Sequence, residues 1–213
     1  MTDSAQTQEL IRAVEQADSP ARLIATVKAL AATTNKAAIS TLIAVLGYNN
    51  PAAAVVAVEG LIALGSSAVK PLIEQLDDYD YGARAYAIRA LAAIADPRAL
   101  DVLLTAALYD FAPSVRRAAA KGLGTLDWSQ LVAEQRQSAL AKALQALLSI
   151  SEDSDWSIRY AAVVGLQALS MIPDLINQIQ PRFEQMSETE TDLAVHARVQ
   201  MARNSNQQLL VSS

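Results

Sequence analysis

Cysteine is absent from the 213 residues of the chain. A disulfide framework, a thiolate zinc site and a cysteine nucleophile are thereby excluded, and the composition is compatible with a reducing cytosol. Histidine occurs once, at His196, so a multi-histidine metal site is excluded and no metal centre is expected. Basic residues are outnumbered, 17 against 22 acidic, for a net charge of -5. Without a basic excess or a long basic run, nucleic acid and anionic lipid are not expected partners. Met1–Gln6 lacks the cationic start and apolar stretch of a secretory signal, so a cytoplasmic location is expected. Residues 37–58 are uncharged, yet Gly47-Tyr48-Asn49-Asn50-Pro51 interrupts them with turn residues. They read as two helices with a turn between them, and no membrane insertion is expected.

Alanine supplies 42 residues, with only seven glycines and seven prolines. That balance favours helix nearly everywhere, because alanine loses no side-chain entropy and lets helices approach closely. A small residue followed by leucine recurs at Ala29-Leu30, Gly60-Leu61, Ala90-Leu91, Gly122-Leu123 and Gly165-Leu166, with a weaker sixth copy ending at Ala202. The steps are 31, 30, 32, 43 and 37 residues, the size of one helical hairpin. The expected fold is all-α, an α-solenoid of five to six HEAT-like hairpin repeats forming one domain over 1–213. Within it, residues 1–19 hold an N-terminal helix, 20–204 the repeats and 205–213 a polar tail.

Helices of the repeating frame are expected near 20–34, 51–65, 80–95, 112–126, 155–171 and 191–204. Second helices are expected near 36–47, 67–77, 97–109, 133–148 and 173–187. Ser19-Pro20, Asn50-Pro51 and Asp96-Pro97 each offer a cap oxygen followed by a first-turn proline. The fourth unit is stretched around Asp127-Trp128-Ser129-Gln130, and Pro181 falls inside a second helix.

Six positions before the small residue stand Arg84, Arg116 and Arg159, with His196 in the sixth copy. Asp80 and Asp155 precede Arg84 and Arg159 by four residues. Caps and a ladder of ion pairs between stacked units are the expected roles.

Residues 77–86, Asp77-Asp78-Tyr79-Asp80-Tyr81-Gly82-Ala83-Arg84-Ala85-Tyr86, gather three tyrosines, three aspartates and an arginine in a chain short of aromatics. Tyr79 and Tyr81 fall at a turn and are not demanded by a core stripe. They either lean on neighbouring repeats or line a ligand surface. The next turn carries Asp110, Phe111, Arg116 and Arg117, and Trp128 and Trp156 each follow an aspartate. Rings, carboxylates and arginines together suit a flat, conjugated, anionic ligand. The candidate binding residues are therefore Asp78, Tyr79, Asp80, Tyr81, Arg84, Asp110, Arg116, Arg117, Trp128, Trp156 and Arg159. No glycine-rich phosphate loop or Ser-His-Asp order competes.

Leu76-Asp77-Asp78-Tyr79-Asp80-Tyr81-Gly82-Ala83-Arg84-Ala85, Ala95-Asp96-Pro97-Arg98-Ala99-Leu100-Asp101 and Asp110-Phe111-Ala112 with Ser114–Ala119 resemble the F subunit of the E/F-type phycocyanobilin lyases. Gly47–Pro51 with Val58-Glu59-Gly60-Leu61 fits the same subunit, and the resemblance weakens after about residue 185. It implies an enzyme subunit that pairs with a homologous E subunit. The pair binds phycocyanobilin as substrate, with no permanent cofactor, and directs its thioether attachment to one cysteine of the phycocyanin α subunit in phycobilisome biogenesis. The related isomerising lyase carries a His-Cys motif that this chain lacks, which disfavours isomerisation. The alternatives are a non-ligating phycobiliprotein-binding HEAT protein, acting as chaperone or degradation factor, and a generic HEAT scaffold.

Overall fold

The computed structural model of the chain describes residues 2–76 and 80–211. Among these residues there are twelve α-helices and no strand. The chain divides into two compact units, Met1–Ala99 and Leu100–Ser213, at a point that no shift in composition announces.

The first unit contains α1 (Thr2–Glu15), α2 (Pro20–Ala32), α3 (Ile39–Leu46), α4 (Pro51–Leu64), α5 (Ser66–Glu74) and α6 (Tyr81–Ile94). Two of the proline-marked starts behave as the sequence predicts. The Ser19 hydroxyl accepts from the Arg22 N–H, and Asn50 Oδ1 accepts from the Ala53 N–H at 3.1 Å. Each fills one of the donors that a helix start leaves without an intrahelical partner. Asp80 starts α6 in the same way, accepting from the Ala83 N–H at 2.9 Å. At Asp96-Pro97 the element that follows is a single 3-10 turn, Pro97–Ala99; Asp96 Oδ1 caps it by accepting from the Arg98 N–H at 3.0 Å, and the buried carboxylate also takes the Arg98 guanidinium at 2.8 and 2.6 Å. The second Arg98 prong continues to the Ser66 carbonyl at 2.7 Å, joining this turn to the start of α5.

Helices α2, α4 and α6 lie side by side, with α3 and α5 behind them. The reason for the small residue of the repeat is visible at Gly60. A Cβ there would stand 2.6 Å from the Ala31 Cβ on α2, so only glycine permits this approach. Val27, Leu30, Leu42, Leu61, Leu72 and Leu91 are fully buried around it.

The second unit contains α7 (Leu100–Tyr109), α8 (Pro113–Thr125), α9 (Ala133–Ile150), α10 (Trp156–Leu169), α11 (Pro173–Thr189) and α12 (Leu193–Val211). The 43-residue step is taken up by a 3-10 turn at Trp128–Gln130 and by the 18 residues of α9. Helices α8, α10 and α12 line up as neighbours. Between α8 and α10 the approach is backbone to backbone: a Cβ on Gly124 would stand 2.6 Å from the Gly165 Cα, and one on Gly165 would stand 2.5 Å from the Ala120 carbonyl oxygen. Helix α12 continues through Asn204–Gln208. Asn206 is buried there, its side-chain carbonyl accepting from the Ser170 hydroxyl at 2.7 Å. That hydrogen bond ties α12 to the end of α10 within a segment whose polarity alone suggests a tail.

Candidate functional site

The repeat arginines of the second unit form the ladder that their spacing predicts. Arg116 leaves α8 and meets Asp153 at 2.5 Å in the turn before α10, while its Nε donates to the Ala107 carbonyl at 3.1 Å. Arg159 leaves α10 and grips Glu190, in the turn before α12, with Nε at 2.8 Å and Nη2 at 2.7 Å. Its Nη1 donates back to the Asp153 carbonyl at 2.9 Å. Asp153 is thus the hub, since its other oxygen accepts from the Asp155 N–H at 2.9 Å. The Arg159 hydrogen bonds hold the Glu190 carboxyl below the ordinary glutamate value, and Glu190 in turn raises the Arg159 guanidinium. These two arginines are occupied in holding repeats together.

Arg117, one position on, faces elsewhere. Its Nη1 donates to the Ser157 hydroxyl at 3.0 Å, and that hydroxyl donates to Asp155 Oδ1 at 2.7 Å. Asp155 caps α10 by accepting from the Ser157 N–H at 2.8 Å. The Ser157 hydroxyl first, then the backbone N–H groups of Ser157 and Ile158 and the nearby Arg117 charge, hold its carboxyl below the ordinary aspartate value. Arg117, Lys121, Asp155, Trp156, Ser157 and Tyr160 line an open cleft of about 730 Å³ between α8 and the start of α10. Trp156 is 50% exposed beside it, so a large ring stands ready in water at a helix start, where packing does not require one.

Of the residues singled out from the sequence, Arg117 and Trp156 meet in this cleft. Arg116 and Arg159 are turned into the ladder. Trp128 is only 8% exposed, packed under its 3-10 turn and facing no open surface. Asp110 Oδ1 accepts from the Ala112 N–H at 2.8 Å and shapes the turn into α8. In the first unit Asp80 is a cap and Arg84 is buried on α6. Asp78 and Tyr79 lie outside the described residues, as does the side chain of Tyr81. Lys121 and Tyr160 complete the cleft and were not anticipated. Their signal is helical spacing, Lys121 standing four residues after Arg117 and Tyr160 four after Trp156. No group of three His, Cys, Asp or Glu side chains that could hold a metal ion occurs among the described residues, and no helix there is long and apolar enough to cross a membrane.

Paired helices, glycine-mediated contacts and an arginine–acid ladder are the marks of a HEAT-repeat α-solenoid, and the HEAT-repeat family model matches residues 49–124 and 69–167. The relatives narrow the class. The phycocyanobilin lyase subunit beta of Nostoc sp. strain PCC 7120 is 57% identical over 93% of this chain and 99% of its own length. The phycocyanin alpha phycocyanobilin lyase CpcF of Synechocystis sp. strain PCC 6803 is 52% identical over 76% of each chain. A solved structure of the complex of CpcE and CpcF of phycocyanin lyase from Nostoc sp. PCC 7120 contains a matching chain at 60% sequence identity and a TM-score of 0.78, covering 79% of this chain and 99% of that one. The chain belongs to the phycocyanobilin lyase beta-subunit family, the F-type subunits.

Proposed function

We propose that this chain is one subunit of a heterodimeric phycocyanobilin lyase. Together with an E-type partner it binds phycocyanobilin and directs thioether attachment to one cysteine of the phycocyanin α subunit. The observation that carries this reading is the near end-to-end match, at 57% identity, to a phycocyanobilin lyase subunit beta. The likeness to a chain of a CpcE–CpcF complex supports the choice of partner.

The chemistry asks for placement more than for an acid or a base. The acceptor thiol adds across the ethylidene double bond of the bilin: sulfur bonds to the exocyclic carbon, a proton goes to the ring carbon, and nothing is oxidised or released. Because this chain has no cysteine, the sulfur comes from the acceptor protein alone and no competing thiol stands in the subunit. The work left to the lyase is to hold one conformer of the chromophore and present it to one thiol. Converting an encounter in solution into a held pair supplies rate and site choice together. A helical-repeat scaffold suits that task, since its packed helices keep the binding side chains at fixed spacing.

Co-expression of this chain with the E-type partner, a phycocyanobilin source and apo-phycocyanin α tests the reading. Covalent pigment on the α subunit in a denaturing gel, present with this chain and missing without it, is the expected result. Equal pigment in both cases contradicts it.

A further inference from the structure

Arg117 and Lys121 stand apart from the arginines of the ladder because they face an open cleft. The chain carries five more acidic than basic residues (22 against 17), and Arg116 and Arg159 both close ion pairs. Arg117 and Lys121 do not: neither closes an ion pair among the described residues, and Arg117 donates to the Ser157 hydroxyl, with the Asp155 charge nearby. The two are neighbours on one face of α8, and both line the cleft that holds Trp156 and Tyr160. On α12, the partly buried Arg198 hydrogen-bonds to the Gln167 side-chain oxygen and has no carboxylate partner among the described residues. Burial lowers its pKa, with Tyr160 acting in the opposite direction. Guanidinium groups taken partly out of water ordinarily have an anion beside them.

The cleft therefore combines two cations outside the ladder, two aromatic rings and one carboxylate. We infer that this cleft is the part of the subunit that grips phycocyanobilin, with Arg117 and Lys121 taking propionate carboxylates and Trp156 and Tyr160 lying against the conjugated rings. This rests on the lyase reading for the identity of the ligand. Each group has its complement in an open-chain tetrapyrrole. Guanidinium and ammonium groups match carboxylates through charge-assisted hydrogen bonds. The exposed indole offers a π face to a flat conjugated chain. Asp155, fixed by Ser157, can accept from pyrrole N–H groups without leaving its place as the cap of α10. The open cleft of about 730 Å³ gives such a ligand room to lie along it.

The test uses the purified pair with its E-type partner and reads non-covalent binding of phycocyanobilin by absorbance and by quenching of tryptophan fluorescence. The double substitution Arg117→Ala with Lys121→Ala is expected to weaken binding of the free acid by about tenfold or more. The dimethyl ester of phycocyanobilin, which has no carboxylate charge, is the control. It should bind the wild-type pair and the variant equally. Trp156→Ala should also weaken binding, of acid and ester alike, because it removes the exposed ring from the cleft.

Unchanged binding of the free acid by the double variant overturns the inference. So does an equal loss for acid and ester, which would point to a collapsed surface and no carboxylate contact. The thermal midpoint of each variant, expected to stay at the wild-type value, separates lost contacts from lost folding. The outcome is independent of ligation. A wild-type pair that pigments phycocyanin α while the variant binds bilin normally leaves the lyase reading intact and sinks this site. A pair that binds bilin through these residues without pigmenting the α subunit does the reverse.

Discussion

Arg159 on α10 and Glu190 in the turn before α12 form a two-pronged ion pair, with both N–O distances below 3 Å and the Glu190 side chain only 5% exposed. It joins two successive repeats across 31 residues of sequence. Removing one partner leaves the other partly buried and unpaired, a change that costs about 3 kcal/mol. Arg159→Ala is therefore expected to lower the urea midpoint with little change in helical circular dichroism at zero denaturant. An unchanged midpoint would remove the ladder from the account of stability.

The same pair sets a dependence on pH. In the folded chain the Glu190 carboxyl is held below its ordinary value of 4.5. Its stabilisation is thus fully present above 4.5 and is lost as the pH falls through the lower folded value. Urea unfolding followed from about pH 6 down to about pH 3 should show wild-type stability falling further than that of Glu190→Gln, so that the two curves approach each other in acid. Parallel curves would show that another group carries the transition.

At Gly165 the usual helix preference should reverse. Alanine is ordinarily the better helix residue by about 1 kcal/mol. Here an added methyl meets the Ala120 carbonyl oxygen and the Leu147 side chain at 2.5 and 2.9 Å. Gly165→Ala is expected to destabilise by about 1–3 kcal/mol through overpacking. A stabilised variant in chemical denaturation would contradict the close α8–α10 approach.

Ala95 presents the opposite case. It ends α6 with a left-handed backbone, φ of 61°, its N–H reaching the Leu91 carbonyl at 3.2 Å. Glycine adopts that conformation without steric penalty and is the usual residue there. Ala95→Gly is expected to stabilise by about 0.5–1 kcal/mol. A lowered thermal midpoint would show that the Ala95 side chain contributes more than its backbone strain removes.

The helices were legible because period and punctuation agree. The small-residue pairs set the period, and Ser19-Pro20 and Asn50-Pro51 mark starts that the structure reproduces. The arginine ladder was legible from one side only. Arg116 and Arg159 stand at a fixed register, but their acids, Asp153 and Glu190, belong to the following repeat, six residues before its own frame position. Asp78 and Asp110 hold that register too, so aligning the repeats with one another exposes the acids where reading a single helix does not. The cleft was the least legible part. Arg116 and Arg117 are neighbours of one type, and which of them faces a ladder and which a cleft follows from the rotation of α8 against α10. Trp128 and Trp156 both follow aspartate, yet one is buried under a 3-10 turn and the other opens a helix. Sequence position marks all four residues and orients none of them.

The most direct measurement is a time course of thioether formation on purified apo-phycocyanin α, with phycocyanobilin and the E-type partner, in the presence and absence of this chain. The account predicts that the complete pair gives one product on one cysteine, faster than spontaneous addition by orders of magnitude. Leaving this chain out should return the slow, mixed adducts of unassisted thiol addition. The same rate and the same product mixture with and without it would contradict the role assigned to it.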